Sequence, residues 1–95
     1  MKRSNPPQTK AEFIARYPNP AFPGVSVYAC ALLIQSGDLT YAVGETSAWV
    51  WEQLHRRPQV KVLAVLYAGN DRNAALDAAR DYNVASAKKA PEVAA

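Results

Sequence analysis

Two tryptophans two positions apart are the side chains of this sequence best suited to recognition chemistry. On a helix they would point about 200° apart, so they cannot both face one core. We predict that Trp51 turns inward and that Trp49 shares a surface stripe with Gln53 and Arg56, four and seven positions further on. Because an indole stacks on nucleobases and a guanidinium pairs with phosphate, this stripe predicts nucleic-acid binding. The alternative is that Trp49 packs beneath an N-terminal helix or loop.

Basic residues extend this prediction to other parts of the chain. The 95 residues include 11 Lys and Arg against 8 Asp and Glu, a formal net charge of +3. All of the excess lies in residues 1–16, which supports nucleic-acid binding less than a basic folded surface would. The cluster at residues 55–57 could hold phosphate, and it equally complements the negative end of a helix. The predicted nucleic-acid contacts are Lys2, Arg3, Lys10, Trp49, Gln53, Arg56, Arg57 and Lys61.

No combination of residues in the sequence predicts catalysis or metal binding. His55 is the only histidine, and it stands at no recognisable spacing from a nucleophile. Cys30 is the only cysteine, which excludes an internal disulfide and a cysteine-based zinc site. Its apolar neighbours predict a buried, unreactive thiol. We therefore expect no catalytic residue, no metal and no cofactor.

Signals for membrane insertion and secretion are also missing from the sequence. The longest apolar stretch, residues 27–34, is far shorter than the ~20 residues that a membrane-spanning helix needs. The first residues include two basic side chains but lack the apolar region of a signal peptide. We expect a cytoplasmic protein that does not bind membranes.

The hydrophobic pattern predicts six elements in the order helix, strand, strand, helix, strand, helix. A capping box formed by Thr9 and Glu12 begins the first helix, and Pro18 ends it. Both alternating sets of residues 25–34 are apolar, which is typical of a central strand covered on both faces. The other predicted elements are a strand at residues 39–43 that forms a hairpin with the first, a helix at about 48–56, a strand at 60–67 and a helix at about 72–85.

These elements predict a single small α+β domain at residues 9–87. We expect two layers, with a three-stranded mixed sheet made of the hairpin plus one further strand, and two or three packed helices. Residues 1–8 combine proline, asparagine and lysine with almost nothing to bury, so they predict a flexible basic arm. Residues 88–95 predict a disordered tail.

Two short segments resemble the signature sequences of the GIY-YIG nuclease domain. Residues 24–28 (GVSVY) correspond to the first signature, and residues 41–46 (YAVGET) are similar to the second. The resemblance covers about residues 24–84, and residues 74–82 are similar in rhythm to the final helix of that family. It implies a module made of a hairpin, a helix, a strand and a helix.

The catalytic positions of that family are not matched in this chain. The family places a tyrosine two residues before the glycine of the second signature, an arginine in the next helix and a metal-binding glutamate in a later helix. The corresponding residues here are Ala42, Glu52 and approximately Ala79. Tyr41 is displaced by one residue, and strand alternation would place it on the other face. The resemblance therefore implies a degenerate copy without nuclease activity.

Three functions follow from these patterns. The leading prediction is a non-enzymatic binding module for nucleic acid that uses the basic arm and the tryptophan and arginine stripe. The alternative is a protein-interaction or self-associating module that uses an exposed edge of the hairpin. The third is the degenerate GIY-YIG-like domain. The expected partner is accordingly a nucleic acid, another protein or a second copy of the chain.

Overall fold

The computed structural model describes residues 5–89, and their secondary structure follows the predicted order of elements. The expectations for Lys2, Arg3 and residues 90–95 lie outside the described residues. The α+β class is confirmed. The elements are α1 (Lys10–Arg16), β1 (Ala29–Ser36), β2 (Leu39–Thr46), α2 (Ser47–His55), β3 (Lys61–Gly69) and α3 (Arg72–Lys89).

The sheet is antiparallel throughout, so the prediction of a mixed sheet is wrong. Its strand order is β2-β1-β3, with β1 in the centre as expected. Ile34 of β1 is paired with Tyr41 on one side and with Val62 on the other. Since β2 and β3 both run opposite to β1, they are parallel to each other, but β1 separates them. The α2 crossover therefore joins two parallel strands that do not pair.

Helices cover both faces of the sheet, which makes three layers and corrects the predicted two-layer arrangement. On one face Phe13 of α1 and Trp51 of α2 pack with Leu32 of β1. The other face packs against α3 through small side chains. Because both alternating sets of β1 are apolar, each face needs a helix to exclude water, as the sequence of this strand predicted. The small residues on the α3 face are Ala29, Ala31, Ala42, Ala75 and Ala79.

Gly44 is the point at which α3 comes closest to β2. A Cβ atom at this position would overlap the carbonyl oxygen of Ala75 and would lie 3.1 Å from the Cβ of Ala79. The strand continues through the glycine to Thr46, whereas the sequence predicted that Gly44 ends it. The glycine therefore permits close helix packing and does not terminate the strand.

Local side-chain signals fix the start and the end of α1. The hydroxyl of Thr9 accepts a hydrogen bond from the backbone N–H of Glu12 at 3.1 Å. The carboxylate of Glu12 accepts one from the backbone N–H of Gln8 at 2.7 Å, so the reciprocal bond of the predicted capping box is displaced by one residue. The helix ends at Arg16, two residues before Pro18, as predicted.

The structure extends beyond the predicted domain limits on both sides. Pro7 is fully buried, and the side chain of Gln8 is hydrogen-bonded to the backbone of Val62. The structure therefore differs from the predicted free arm where that arm meets α1. At the other end, α3 continues to Lys89 and so enters the segment predicted as a tail.

Candidate functional site

The two indoles of α2 point in different directions. Trp51 is 3% exposed and packs against Phe13, with 5.4 Å between the ring centroids. Trp49 is 50% exposed, and it lines a groove to which no residue of α1 contributes. The predicted division between an inward and an outward tryptophan is confirmed, and the alternative of Trp49 beneath the N-terminal helix is not adopted.

Trp49, Gln53 and Arg57 line one small groove of about 70 Å³ between α2 and the sheet. These three residues are here called the α2 stripe. Arg56, the predicted third member, instead forms an i,i+4 ion pair with Glu52, with 3.3 Å between Nε and Oε2. This pairing draws its guanidinium toward the flank of the helix away from Gln53. Arg57 therefore takes the position in the groove that the sequence had assigned to Arg56.

Exposed cations without a carboxylate partner lie where α2 ends and β3 begins. Arg57 and Lys61 are exposed, and neither takes part in an ion pair among residues 5–89. Three arginines elsewhere are neutralised by carboxylates: Arg56 by Glu52, Arg72 by Glu45, and Arg80 by Asp77 and Asp81.

Lys10 lines a second groove of about 540 Å³. His55 and Arg57 line the same groove, and Glu52 contributes the only carboxylate among its lining residues. His55 is exposed at the end of α2, which is where the sequence placed a surface histidine. The structure thus brings Lys10 and Arg57 to one groove, whereas Lys61 stands apart from it at the start of β3.

Both edge strands are already hydrogen-bonded by a carboxamide side chain. Asn83 of α3 accepts from the N–H of Ala42 at 2.9 Å and donates to its carbonyl at 3.0 Å. Gln8 likewise accepts a hydrogen bond from the N–H of Val62 on β3 at 3.0 Å and donates one to its carbonyl at 2.8 Å. These are the backbone groups that an added strand would need, so the contacts count against association through the hairpin edge. The sequence predicts neither contact, because an isolated Asn or Gln carries no signal for such a bond.

The positions that the GIY-YIG resemblance would make catalytic are occupied by groups without that chemistry. Ala42 and Ala79 are buried together in the alanine cluster beneath α3. Tyr41 packs on the other face of the sheet, as strand alternation predicted. Glu52 is exposed and paired with Arg56. Within residues 5–89 no group of three His, Cys, Asp or Glu side chains is placed to hold a metal ion.

Cys30 is fully buried in the centre of the sheet, as predicted. Burial raises the pKa of its thiol to about 11, and the neighbouring hydroxyl of Ser47 offsets only part of this effect. Because the thiolate is the reactive form, the site does not activate this cysteine as a nucleophile.

A bidentate ion pair joins the end of β2 to the start of α3. Arg72 donates to both carboxylate oxygens of Glu45, with 2.8 Å between Nη2 and Oε2. These bonds lower the pKa of the Glu45 carboxyl and raise that of the Arg72 guanidinium. The pair occupies both side chains, so neither contributes free charge to a binding surface.

No helix among residues 5–89 combines the length and the apolar character needed to cross a membrane. Comparison with models of protein families found no match for the chain. Comparisons with curated proteins and with solved structures likewise found no similar protein.

Proposed function

We propose that this protein is a small non-enzymatic module that binds single-stranded nucleic acid through the α2 stripe. The observation that carries the proposal is a half-exposed Trp49 in one groove with Gln53 and with an Arg57 that forms no ion pair among residues 5–89. A nucleobase stacks on the indole, a phosphate pairs with the guanidinium, and the amide offers both a donor and an acceptor to a base edge.

The exposed indole favours a single strand over a duplex. In a duplex each base is stacked on its neighbours, so an aromatic side chain on a protein surface reaches only an unpaired base. Lys10, beside the second groove, and Lys61, at the start of β3, supply further positive charge for the phosphate backbone. If Lys10, Arg57 and Lys61 each neutralise one phosphate, the logarithm of the affinity falls with the logarithm of salt concentration with a slope of about −2.

The order of elements supports placing residues 24–84 with the GIY-YIG domain that they resemble. A hairpin, a helix, a strand and a helix follow one another in the chain, as in that family's module. The proposal includes no nuclease step, because Ala42 and Ala79 supply neither a nucleophile-activating group nor a metal ligand. The module would bind a strand without cleaving it.

Fluorescence anisotropy with a short labelled single-stranded oligonucleotide tests the proposal. We expect Trp49→Ala to weaken binding roughly tenfold, because stacking on one aromatic contributes about 1–3 kcal/mol per base. Arg57→Gln should reduce the magnitude of the salt slope by about 0.7. Phe22→Ala and Arg80→Gln are matched controls, since they remove an exposed aromatic and an arginine that lie outside the α2 stripe.

Three results would overturn the proposal. The first is binding that does not weaken with salt, or no binding at all. The second is an equal loss of affinity in Trp49→Ala and Phe22→Ala, which would remove the specific role of the α2 stripe. A duplex that binds as tightly as the single strand would show that stacking on Trp49 is not the recognition step.

A further inference from the structure

A groove of about 870 Å³ lies away from the α2 stripe, between α1, the start of α2 and the segment at residues 19–28. No member of the α2 stripe lines it. We call it the apolar groove. Its volume is within the range typical of sites for small organic ligands, about 300–1,000 Å³.

The walls of this groove carry an unusual share of exposed apolar side chains. Phe22, Val25 and Tyr28 all line it, and they are 65%, 47% and 54% exposed. Ile14 of α1 adds a further aliphatic contact. Large apolar side chains exposed as one contiguous patch, and not singly, are typical of a surface that is covered by a ligand.

The charge on the described walls of the apolar groove is positive. Lys10 is the sole charged residue among those that line it, and no described carboxylate contributes to its walls. A single ammonium group beside an apolar surface attracts an anion and repels a cation, and the low polarity of the walls weakens its screening by water. The complementary ligand is therefore apolar with one negative charge.

One buried polar atom among the groove's lining residues lacks a partner. Ser47 lines the groove, but its hydroxyl neighbours the Cys30 thiol. Trp51 also lines the groove and is 3% exposed, and its Nε1 has no hydrogen-bond partner among the described residues. The indole N–H can only donate, so only an acceptor oxygen can satisfy it. A buried donor without a partner is unfavourable, and a ligand oxygen that reached it would be stabilised.

We propose that the apolar groove binds a small, mostly apolar carboxylic acid. The hydrocarbon part covers Phe22 and Val25, and the carboxylate accepts hydrogen bonds from Lys10 and from the buried indole N–H of Trp51. A carboxylate fits these observations because it combines the required negative charge with up to four acceptor positions. This site contains no residue of the α2 stripe and shares only Lys10 with the proposed nucleic-acid surface, so it does not depend on nucleic-acid binding.

An NMR titration of the ¹⁵N-labelled protein with three ligands of equal chain length tests the proposal. The ligands are octanoate, octan-1-ol and octylammonium, which differ only in the charge and hydrogen-bonding of the head group. We expect octanoate to bind tightest, octanol roughly three- to fivefold more weakly and octylammonium more weakly still. The signals that shift should be the indole N–H of Trp51 and the amides around Val25 and Ser47, while the indole N–H of Trp49 stays unchanged.

Variants with matched controls locate the charge and the apolar wall. Lys10→Gln should reduce octanoate affinity to that of octanol, whereas Arg16→Gln removes the same charge from the same helix outside the groove and should have no effect. Val25→Asp should weaken octanoate more than octylammonium. Leu39→Asp, which adds the same charge to an exposed aliphatic position in β2, should affect neither.

The proposal is overturned if the three ligands bind equally, if Lys10→Gln leaves the preference for octanoate intact, or if the shifts centre on Trp49. Failure of all three ligands to bind would also overturn it. Nucleic-acid binding by the Val25→Asp variant should be unchanged, which keeps the two proposals separable.

Discussion

Gly44 and Gly37 have different physical roles, and replacing each of them by alanine distinguishes these roles. A Cβ at Gly44 would overlap the Ala75 carbonyl, a backbone group that cannot move unless α3 moves with it. Gly37 has φ +61 in the hairpin turn, with nothing within 4 Å of a Cβ. We expect Gly37→Ala to lower the free energy of unfolding by about 1 kcal/mol through backbone strain alone. Gly44→Ala should lower it by more than about 2 kcal/mol, because it overpacks the helix against the strand.

Urea denaturation of both variants measures the difference. Equal losses of stability at the two positions would mean that α3 does not lie against β2 at Gly44. A larger loss at Gly37 would mean that the hairpin turn, and not the helix contact, limits stability.

The sequence predicted single residues well where a local rule decides their placement. The opposite orientations of Trp49 and Trp51 follow from helix geometry alone, and the burial of Cys30 follows from its apolar neighbours. Gly44 was assigned as the end of a strand because nothing nearby in the sequence reveals that Ala75 lies against it. Arg56, and not Arg57, was predicted in the stripe because the ion pair that Arg56 forms with Glu52 depends on side-chain conformations.

The buried thiol of Cys30 makes the stability of the fold depend on alkaline pH. Burial raises its pKa from the ordinary value of 9.0 to about 11 in the folded protein. The stabilisation that the folded protein gains from keeping this thiol protonated is fully present below pH 9. It is lost as the pH rises toward 11, because the thiol of the unfolded chain releases its proton at a lower pH than the thiol of the folded protein. We expect the free energy of unfolding to fall by about 3 kcal/mol over this range from this group, at 1.36 kcal/mol per unit.

Denaturation curves of the wild type and Cys30→Ala at pH 8 and pH 11 measure this contribution. The tyrosines also titrate in this range, so the relevant quantity is the difference between the two proteins. That difference should shrink as pH rises, because the wild type alone loses the thiol contribution. A constant difference would show that Cys30 is accessible enough to ionise in the folded protein.

At the scale of elements, two carboxamides determine whether the sheet edges are open. Asn83 satisfies both backbone groups of Ala42 on β2. We expect Asn83→Ala to leave these groups unpaired at an edge, so that β2 can pair with β2 of a second copy. Sedimentation should then show a mass that increases with concentration, and hydrogen exchange at the Ala42 amide should accelerate in the dilute monomer.

Asn73→Ala is the matched control, because it removes an exposed asparagine from the same helix that makes no side-chain hydrogen bond within the described residues. It should leave both measurements unchanged. If Asn83→Ala remains a monomer with an unchanged Ala42 amide, the Asn83 contact does not protect the edge. A wild-type protein that already associates through β2 would directly contradict the conclusion that Asn83 protects this edge.

The elements themselves were predictable, and their arrangement was less so. Runs of apolar residues bounded by Pro18, the hairpin turn and Asp71 predicted every helix and strand. The pairing of β3 with β1, instead of with β2, depends on contacts between residues about 30 positions apart. No local pattern in the sequence encodes such contacts. The mixed sheet was wrong for this reason, whereas the two-layer prediction was wrong because it did not follow from the apolar pattern on both faces of β1. The groove beside residues 19–28 was not predicted, because a loop without periodicity has no expected shape.

At the scale of the whole molecule, the two sides of the sheet have unequal cores. The side covered by α1 and α2 buries large residues, among them Phe13, Leu32 and Trp51. The side covered by α3 buries alanines, which remove less apolar area from water per residue. The 18-residue α3 is therefore attached by close packing of small side chains, together with the Asn83 bonds and the Arg72 ion pair.

This asymmetry predicts that the molecule opens in two steps of different free energy. Residues 84–87 of α3 have mostly exposed side chains, so their amides should exchange by local opening, while amides of β1 exchange only on global unfolding. Phe13→Ala should lower the global free energy of unfolding by about 3–5 kcal/mol. In native-state hydrogen exchange, protection of β1 should fall by that amount and protection near Ala85 should stay constant. If both regions lose protection equally, α3 and the sheet open as one unit, and the unequal cores do not divide the stability of the molecule.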